Sequence, residues 1–150
     1  MTSRLEGTMS SAAAERQTPE TDAGPGRATV LLETVFPDAS NHYGTLFGGH
    51  ALSLMGRAAY MAASRRAGCN VVMAATDAVR FHRPVPVGHL LELTARVVRT
   101  GRSSLTVQVD GVSEAPAGGP RHDVLSGRFE MVAVDAHGRP RPFDAGRVQP

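Results

Sequence analysis

Residues 41–67 have the sequence NHYGTLFGGHALSLMGRAAYMAASRRA, in which a short polar and glycine-rich run leads directly into a longer apolar one. Two arginines at the end of this stretch suit the negative end of a helix dipole, and Gly68 can adopt the left-handed conformation that caps a helix. Apolar side chains recur at the spacing of one helix face at Leu52, Met55, Ala59 and Ala62. The pattern predicts one long helix, Gly48–Ala67.

Small residues occupy the neighbouring faces of this predicted helix, at Ala51, Gly56, Ala58 and Ala63. Side chains of this size allow other backbone segments to approach closely, and a helix that is apolar on most faces is typically buried. We therefore expect a sheet that wraps around the helix rather than one that lies along a single side.

Five runs rich in β-forming residues accompany the helix, one before it and four after it. Gly101 and Arg102 form a tight hairpin signal between the third and fourth runs. In the fourth run apolar and polar residues alternate, which predicts one buried and one solvated face. A strand, a long helix and an antiparallel meander make an α+β layout. The predicted strands are residues 28–36, 71–81, 90–100, 103–113 and 124–134.

The length of 150 residues suits a single domain. Residues 1–26 are dense in Ser, Thr, Gly, Pro and charge, so they offer little to bury and are predicted to be a disordered leader. The domain itself is predicted to span residues 27–143, and residues 144–150 a polar tail. The sequence has no run of about 18 apolar residues, which a membrane helix needs, and no apolar signal core at its start.

Charge and cysteine content exclude several classes of function. The net charge is only +2, and the 16 basic residues are all arginine, which argues against nucleic-acid binding because that needs a clustered positive excess. Scattered arginines suit a ligand with a few phosphates, or reflect nothing more than genome composition. A single cysteine, Cys69, rules out an internal disulfide and favours a reducing, cytoplasmic location. The histidines lack metal-ligand spacing, so no metal site is expected.

Gly48 and Gly49 stand where the predicted helix begins. Adjacent glycines let a ligand approach the backbone closely, and the free N–H groups of a first helical turn point outward with the positive end of the dipole. Such a site can act as an oxyanion hole or a carbonyl clamp. Two glycines also permit tight packing of a helix on a sheet, and the residues themselves leave both interpretations open.

The motif Asn-His-x-Gly-Thr-x-Phe-Gly-Gly at residues 41–49, followed by a Met-containing helix, resembles the acyl-CoA hydrolase branch of the hotdog-fold thioesterases. Four further segments match that family in order and spacing, so the resemblance covers about residues 28–142. Agreement in several places is far more specific than one motif. The four segments are FHRPVPVG at 81–88, ELTARV at 92–97, TGRSS at 100–104 and VAVD at 132–135.

The resemblance implies a hotdog fold, in which an antiparallel sheet wraps around the long helix and two subunits hold acyl-CoA between them. It implies a homodimer or a higher homo-oligomer, such as a tetramer or hexamer. No metal or redox cofactor is expected, because coenzyme A enters only as part of the substrate. Neither a nucleic acid nor a membrane is expected as a partner.

The resemblance also assigns roles to individual residues. In such enzymes the residue matching Asn41 positions the attacking water or the thioester, and the helix start polarises the carbonyl. The candidate catalytic residues are Asn41, Gly48, Gly49 and His50. The candidate contacts to substrate and coenzyme A are His42, Gly44, Thr45, Phe47, Asp77, Arg83, Arg102, Ser103 and Ser104. Alternatives stay open at this stage, because residues 101–104 also suit a solvated turn and Asp77 also suits a structural partner for an arginine.

The sequence departs from the family at one position. The helix of the family normally carries an acidic residue seven positions after the second glycine, and here that position is Gly56, followed by Arg57. A carboxylate there would act as general base or nucleophile, which glycine cannot do.

Three hypotheses follow from the missing acid. Another group, His50, His42 or Asp77, activates the water; or the protein binds acyl-CoA without hydrolysing it quickly; or Asn41 and the helix dipole support slow hydrolysis on their own. The leading prediction is hydrolysis of acyl-CoA to a free acid and coenzyme A, and the main alternative is a non-catalytic or very slow acyl-CoA binding protein. A dehydratase is disfavoured because its histidine and acid pattern is not evident.

Overall fold

The computed structural model describes residues 27–144 of the chain, so the predicted leader and the end of the predicted tail lie outside the described residues. A five-stranded antiparallel sheet carries one long helix, and the predicted α+β layout is confirmed. A short 3-10 turn, Pro37–Ala39, precedes the helix. The elements are β1 (Ala28–Thr34), α1 (Gly48–Ala67), β2 (Val71–Phe81), β3 (Leu90–Thr100), β4 (Ser104–Glu114) and β5 (His122–Ala133).

The predicted bounds of α1, β2 and β3 are confirmed. β4 is Ser104–Glu114 rather than 103–113 and β5 is His122–Ala133 rather than 124–134, whereas β1 ends at Thr34 rather than at Phe36. The difference arises because the next two residues turn away from the sheet towards Pro37, although the N–H of Val35 still donates to the carbonyl of His89 over 3.0 Å. The predicted hairpin after β3 is confirmed by a 2.8 Å hydrogen bond from the N–H of Gly101 to the carbonyl of Ser104.

The strand order is β1-β3-β4-β5-β2, with every neighbouring pair antiparallel. The chain therefore crosses from one edge of the sheet to the other through α1, so β2 becomes an edge strand. Its main-chain groups pair with β5 on one side only. The register of that pairing shifts twice, and Ala78 near the second shift has a φ of 53°, in the left-handed region.

The core lies between one face of the sheet and the alanine-rich side of α1. On β4 the predicted buried face is confirmed, because Leu105, Val107 and Val109 are fully buried, whereas Thr106 on the face predicted to be solvated is also buried and donates to a carboxylate oxygen of Glu130. The helix contributes Leu54 and Met55 to the same core, and its buried alanines let the sheet approach closely. Burial of each large apolar side chain stabilises the fold by about 1.5–3 kcal/mol. The opposite side of α1 is exposed in one subunit.

Candidate active site

A loop, residues 40–47, delivers the chain to the helix start and is held by its own backbone. The N–H of Asn41 donates to the carbonyl of Thr45 over 2.8 Å, and the N–H of Phe47 donates to the carbonyl of Ala39 over 2.9 Å. Gly44 adopts a φ of 78°, a left-handed conformation that glycine accepts without strain. The loop is further tied to the segment after β2, because Leu46 N–H donates to the carbonyl of Val85.

The side chain of Asn41 organises this loop through its oxygen alone. Oδ1 accepts hydrogen bonds from the N–H of Tyr43 (2.9 Å), the N–H of Thr45 (3.2 Å) and the hydroxyl of Thr45 (3.2 Å). None of the hydrogen bonds found within residues 27–144 uses Nδ2 of Asn41. The amide is therefore oriented by the protein and keeps two donors for a ligand, so it can polarise a carbonyl or hold a water but cannot remove a proton.

The first turn of α1 has no cap. Phe47 occupies the N-cap position with extended backbone and makes no side-chain capping hydrogen bond, and the first turn contains no acidic residue. The first helical hydrogen bond runs from the N–H of Ala51 to the carbonyl of Phe47. In the described part of the chain the N–H groups of Gly48, Gly49 and His50 have no acceptor, and they carry the positive end of the helix dipole.

The two glycines differ in what surrounds them. A Cβ built on Gly49 would lie 2.6 Å from Cε2 of Phe47, so that glycine makes room for an aromatic ring. A Cβ built on Gly48 would meet nothing closer than Cζ of Phe81 at 4.0 Å. The packing interpretation therefore applies to Gly49, and close approach of a ligand to the backbone remains possible at Gly48.

A cavity of about 280 Å³ opens beside this helix start. Gly48 and Ala51 of α1 form one wall of the cavity, and another is formed by Phe81 at the end of β2 with His82 and Arg83 of the segment that follows. The remaining lining is apolar and comes from Leu46, Pro84, Val85, Val124 and Leu125. A mostly apolar cavity with a few converging polar groups is the usual form of a small-molecule site.

Two histidines and an arginine stand on β5 and on the segment after β2. Nη1 of Arg83 contacts Nδ1 of His122, and Nε2 of His82 lies 3.1 Å from the hydroxyl of Ser126. Arg83 is exposed, so its remaining guanidinium donors can reach a phosphate at the cavity mouth. The sequence motif containing Arg83 is thus brought next to the glycine motif by the fold.

The three candidate bases take different places. His50 lies in the first turn of α1 and is exposed, and the ring of His42 packs against Tyr43 with centroids 4.0 Å apart. Asp77 pairs with Arg128 of β5. The side chain of Arg128 lies on the opposite face of the sheet from the neighbouring Phe129, which is buried against the helix. Directly opposed residues share a face of a sheet, so Asp77 points away from the helix and does not join the other predicted site residues.

The hairpin residues Arg102, Ser103 and Ser104 lie at the far end of the same sheet. β3 runs from the cavity end at Leu90 to the hairpin, and its 11 residues span about 33 Å. The hairpin instead contacts the end of β5, where the N–H of Ala133 donates to the carbonyl of Ser103 over 2.7 Å. One subunit therefore does not bring the hairpin to the cavity.

The space at the missing acid is partly filled by a residue that sequence reasoning overlooked. A Cβ built on Gly56 would lie 2.9 Å from Cε of Met73, whose side chain crosses from β2 to the helix. Alternation along β2 could have put Met73 on the helix side, but only the strand order shows that it meets Gly56.

Two absences concern the described residues. Within residues 27–144, no group of three or more His, Cys, Asp and Glu side chains could hold a metal ion. No helix in the same part of the chain combines the length and apolar character that a membrane span requires.

Comparison with known proteins gives consistent matches. Residues 43–118 match the thioesterase superfamily. An uncharacterized acyl-CoA thioester hydrolase of Zymomonas mobilis is 35% identical over 121 residues, which are 77% of this chain and 78% of that protein. The crystal structure of an acyl-CoA hydrolase from Agrobacterium tumefaciens is 42% identical with a TM-score of 0.73, and the match covers 77% of this chain but only 45% of that longer one. A hexameric broad-specificity acyl-coenzyme A thioesterase, solved as an Asp-to-Ala mutant, is 30% identical with a TM-score of 0.76, over 79% of this chain and 88% of that one.

Proposed function

The chain belongs to the thioesterase superfamily and has the predicted hotdog fold, and on this premise we propose that it hydrolyses acyl-CoA thioesters at the start of α1. Water attacks the thioester carbonyl, the carbon–sulfur bond breaks, and a free carboxylic acid and coenzyme A are released. The observation that carries the proposal is the uncapped first turn of α1, whose Gly48 lines an apolar cavity.

The helix start and Asn41 would act together on the thioester oxygen. As water adds, negative charge develops on that oxygen, and fixed N–H donors stabilise it without rearranging. The free backbone N–H groups of the first turn would supply one set of donors, and Nδ2 of Asn41 would supply another. Because Oδ1 of Asn41 is already bonded within the loop, the donor end of the amide is the end that is free to face a ligand.

Proton transfer needs a group other than position 56, since glycine carries no base. Among the three candidate bases, His50 is the one that lies in the first turn of α1, and a neutral imidazole nitrogen can accept a proton. We propose His50 as the group that accepts a proton from the attacking water. Hydrolysis supported by Asn41 and the dipole alone is the alternative.

The role of His50 is testable by substitution. His50→Gln keeps the size of the side chain but removes the base, and we expect kcat to fall about 100-fold, the usual contribution of general base catalysis. An unchanged kcat would leave Asn41 and the helix dipole as the whole of the machinery. His137→Gln serves as the control because His137 is exposed in the turn after β5 and does not line the cavity.

A second copy of the chain would complete the coenzyme A site. Antiparallel pairing of two β2 edges about a two-fold axis places the Val71 end of one strand beside the Phe81 end of the other. The hairpin lies at the Val71 end, because Ser103 bonds Ala133 and Ala133 pairs with Val71. The partner's hairpin thus comes to the end of the joined sheet where Arg83 and the cavity lie.

This arrangement supports a homodimer or a higher homo-oligomer, such as the hexamer of the related thioesterase. Arg83 of one subunit and the Arg102 hairpin of the partner would share the phosphates of coenzyme A, since guanidinium groups bind phosphate in a bidentate way. Hydrolysis of an acyl-CoA consumes only water, so we propose neither a metal nor a redox cofactor. We also propose a cytoplasmic location, with no nucleic-acid or membrane partner.

Release of thiol from a panel running from acetyl-CoA to palmitoyl-CoA is the direct test. We expect steady turnover with at least part of the panel and tight dependence on the coenzyme A portion, seen as weak hydrolysis of acyl-pantetheine. Measurable binding of coenzyme A without thiol release from any member would instead identify an acyl-CoA binding protein. If the protein neither binds coenzyme A nor releases thiol from any member of the panel, the proposal is wrong.

A further inference from the structure

The face that α1 shares with β2 carries no carboxylate. None of the 20 residues of α1 is acidic, and the single acid of β2, Asp77, points away from the helix. Gly56 stands on this face, at the position where the family normally has an acidic side chain. A Cβ built on Gly56 would lie 2.9 Å from Cε of Met73 on β2. The acid is therefore absent from both elements rather than moved to a neighbouring position on their shared face.

Position 73 differs from a related enzyme in the same way as position 56. The acyl-CoA hydrolase of Staphylococcus aureus has been solved as three variants, in which an asparagine, an aspartate and a threonine are each replaced by alanine. That protein is 29–30% identical, with TM-scores of 0.72–0.74 over 77% of this chain and 70–72% of that one. Its three residues have the same spacing as Asn41, Gly56 and Met73. The asparagine is kept here, and the other two are replaced by residues that contact each other.

The contact between these two positions makes them depend on each other. A threonine hydroxyl can donate a hydrogen bond to a carboxylate, whereas the thioether of methionine has no donor and accepts only weakly. The built distance of 2.9 Å is shorter than an ordinary contact of a Cβ, so an acid added at Gly56 would have to displace the tip of Met73. It would then lie against a thioether, and an apolar neighbour disfavours the charged form of a carboxylate. An acid at position 56 therefore needs a different residue at position 73.

We propose that Gly56 and Met73 form one coupled replacement at the reaction centre, in which the tip of Met73 closes the space of the missing carboxylate and holds no water there. This inference rests on the proposed thioesterase function. The water that attacks the thioester is then held at the first turn of α1 instead. Met73 acts as a positioning residue, because it decides whether an acid at position 56 can serve as a base.

The two-fold pairing of β2 edges would bring this pair of residues to the cavity of the partner subunit. Within one subunit Gly56 lies about 12 Å from Gly48 by the helix rise, which is farther than an aspartate side chain reaches. In the paired strands the Val71 end of one β2 lies beside the Phe81 end of the other. Met73 is close to the Val71 end, and Phe81 lines the cavity. Each reaction centre would thus receive positions 56 and 73 from the other copy.

The test is a double-substitution cycle on the oligomeric protein. Gly56→Asp supplies the acid alone, Met73→Thr supplies the hydroxyl alone, and the double variant supplies both. Gly56→Ala adds a Cβ without an acid and so separates the effect of displacing the Met73 tip from that of the base. Thiol release from acyl-CoA gives kcat and KM, and thermal unfolding and sedimentation report the stability and the oligomer of each variant.

Val72→Thr is the matched control for position 73. It adds the same hydroxyl to the same strand, but Val72 pairs with Val132 on the opposite face of the sheet. Combined with Gly56→Asp, it should therefore give no more activity than Gly56→Asp alone. If the variant with Asp at position 56 and Thr at position 73 does not fold, Met73→Ser takes the place of Met73→Thr in the cycle.

We expect kcat of the double variant to exceed that of the wild type by about 100-fold or more, the usual contribution of a general base, with KM unchanged. The new carboxylate takes a proton from the water as its oxygen bonds to the carbonyl carbon, and the proton passes to sulfur as the carbon–sulfur bond breaks. Gly56→Asp alone should gain far less, because Met73 still lies against the acid. The product of the two single effects should fall short of the double variant by about tenfold or more, as residues in contact do.

Two results would overturn the inference while leaving hydrolysis by the wild type intact. Gly56→Asp alone could gain as much as the double variant, and Met73 would then have no control over position 56. A folded double variant that forms the wild-type oligomer and gains nothing would place the pair outside the reaction centre.

The function on which the inference rests has a separate outcome. If the wild type binds coenzyme A but releases no thiol, whereas the double variant does release it, the inference holds and hydrolysis by the wild type is wrong. If neither protein binds coenzyme A or releases thiol, both the inference and the proposed function fail.

Discussion

The two ends of α1 differ in whether their backbone groups are capped. At the C-terminal end Gly68 adopts a φ of 68° and its N–H donates to the carbonyl of Ser64 over 2.9 Å. Arg65 reaches Thr29 on β1 over 3.1 Å, and the carbonyl of Asn70 accepts the N–H of Val134 over 2.9 Å. At the N-terminal end Phe47 makes no capping hydrogen bond and the first turn contains no acidic residue. Within residues 27–144 the free N–H groups of that turn have no acceptor, so we call this the open end and the end at Gly68 the closed end.

This difference separates stability from function within one element. A side-chain cap at a helix start is worth about 1 kcal/mol, so the open end leaves stabilisation unused. The same omission keeps amides available where Gly48 faces a cavity. We propose that the closed end stabilises the fold and that the open end binds a ligand.

The largest expected effect is at the open end. Asn41→Asp keeps the oxygen that accepts from Tyr43 and Thr45 but replaces the donor Nδ2 with a charged oxygen. We expect kcat/KM for acyl-CoA hydrolysis to fall at least about 100-fold, the effect of losing one oxyanion donor, with little change in melting temperature. Asn70→Asp at the closed end is the control, and an equal loss of activity in it would contradict the division.

Substituting the capping glycine at the closed end should lower the stability of the protein without changing its catalytic activity. Gly68→Ala places a Cβ in left-handed backbone, which costs about 1 kcal/mol or slightly more. We expect chemical denaturation to show that loss, while kcat/KM per folded molecule stays at the wild-type value. A fall in kcat/KM together with normal stability would mean that this end also serves the reaction.

Capping the open end should bring the opposite result. In Phe47→Asp a carboxylate can accept the free N–H groups of the first turn, whereas Phe47→Ala removes the same ring without supplying a cap. We expect Phe47→Asp to be about 1 kcal/mol more stable than Phe47→Ala but less active, because the carboxylate competes with the thioester oxygen. Equal activity in the two variants would show that these amides do not act on substrate.

The smallest expected effect concerns a turn beside the closed end. The pKa of Asp135 is lowered because the backbone N–H groups of Arg139 and His137 donate to its carboxylate. A lowered folded-state pKa adds stability that is present above the ordinary value of 3.8 and is lost as the pH falls through the folded value. We expect Asp135→Ala to lose slightly more stability at pH 7 than at pH 2, as measured by thermal unfolding.

The elements of the fold were predictable because each depends on local periodicity. The apolar spacing from Leu52 to Ala62 predicted α1, and the alternation of Leu105, Val107 and Val109 predicted the buried face of β4. The end of β1 was placed too late because strand propensity continues through Phe36, although the chain has already turned towards Pro37.

The site was predictable where its parts are contiguous in the chain. Asn41, Gly48 and Gly49 are close along the chain because one loop and the helical turn that follows it contain them. The contact of Met73 with Gly56 depends on β2 crossing to the far edge of the sheet, and the separation of Arg102 from the cavity depends on the direction of β3. Neither follows from spacing along the chain.

A crystal structure with a non-hydrolysable acyl-CoA analogue tests the central claim most directly. The account predicts that the oxygen in place of the thioester carbonyl lies about 3 Å from a main-chain nitrogen of the first turn at Gly48 and within reach of Nδ2 of Asn41. An analogue whose carbonyl oxygen lies elsewhere, or a first turn covered by neighbouring side chains in the oligomer, would contradict it.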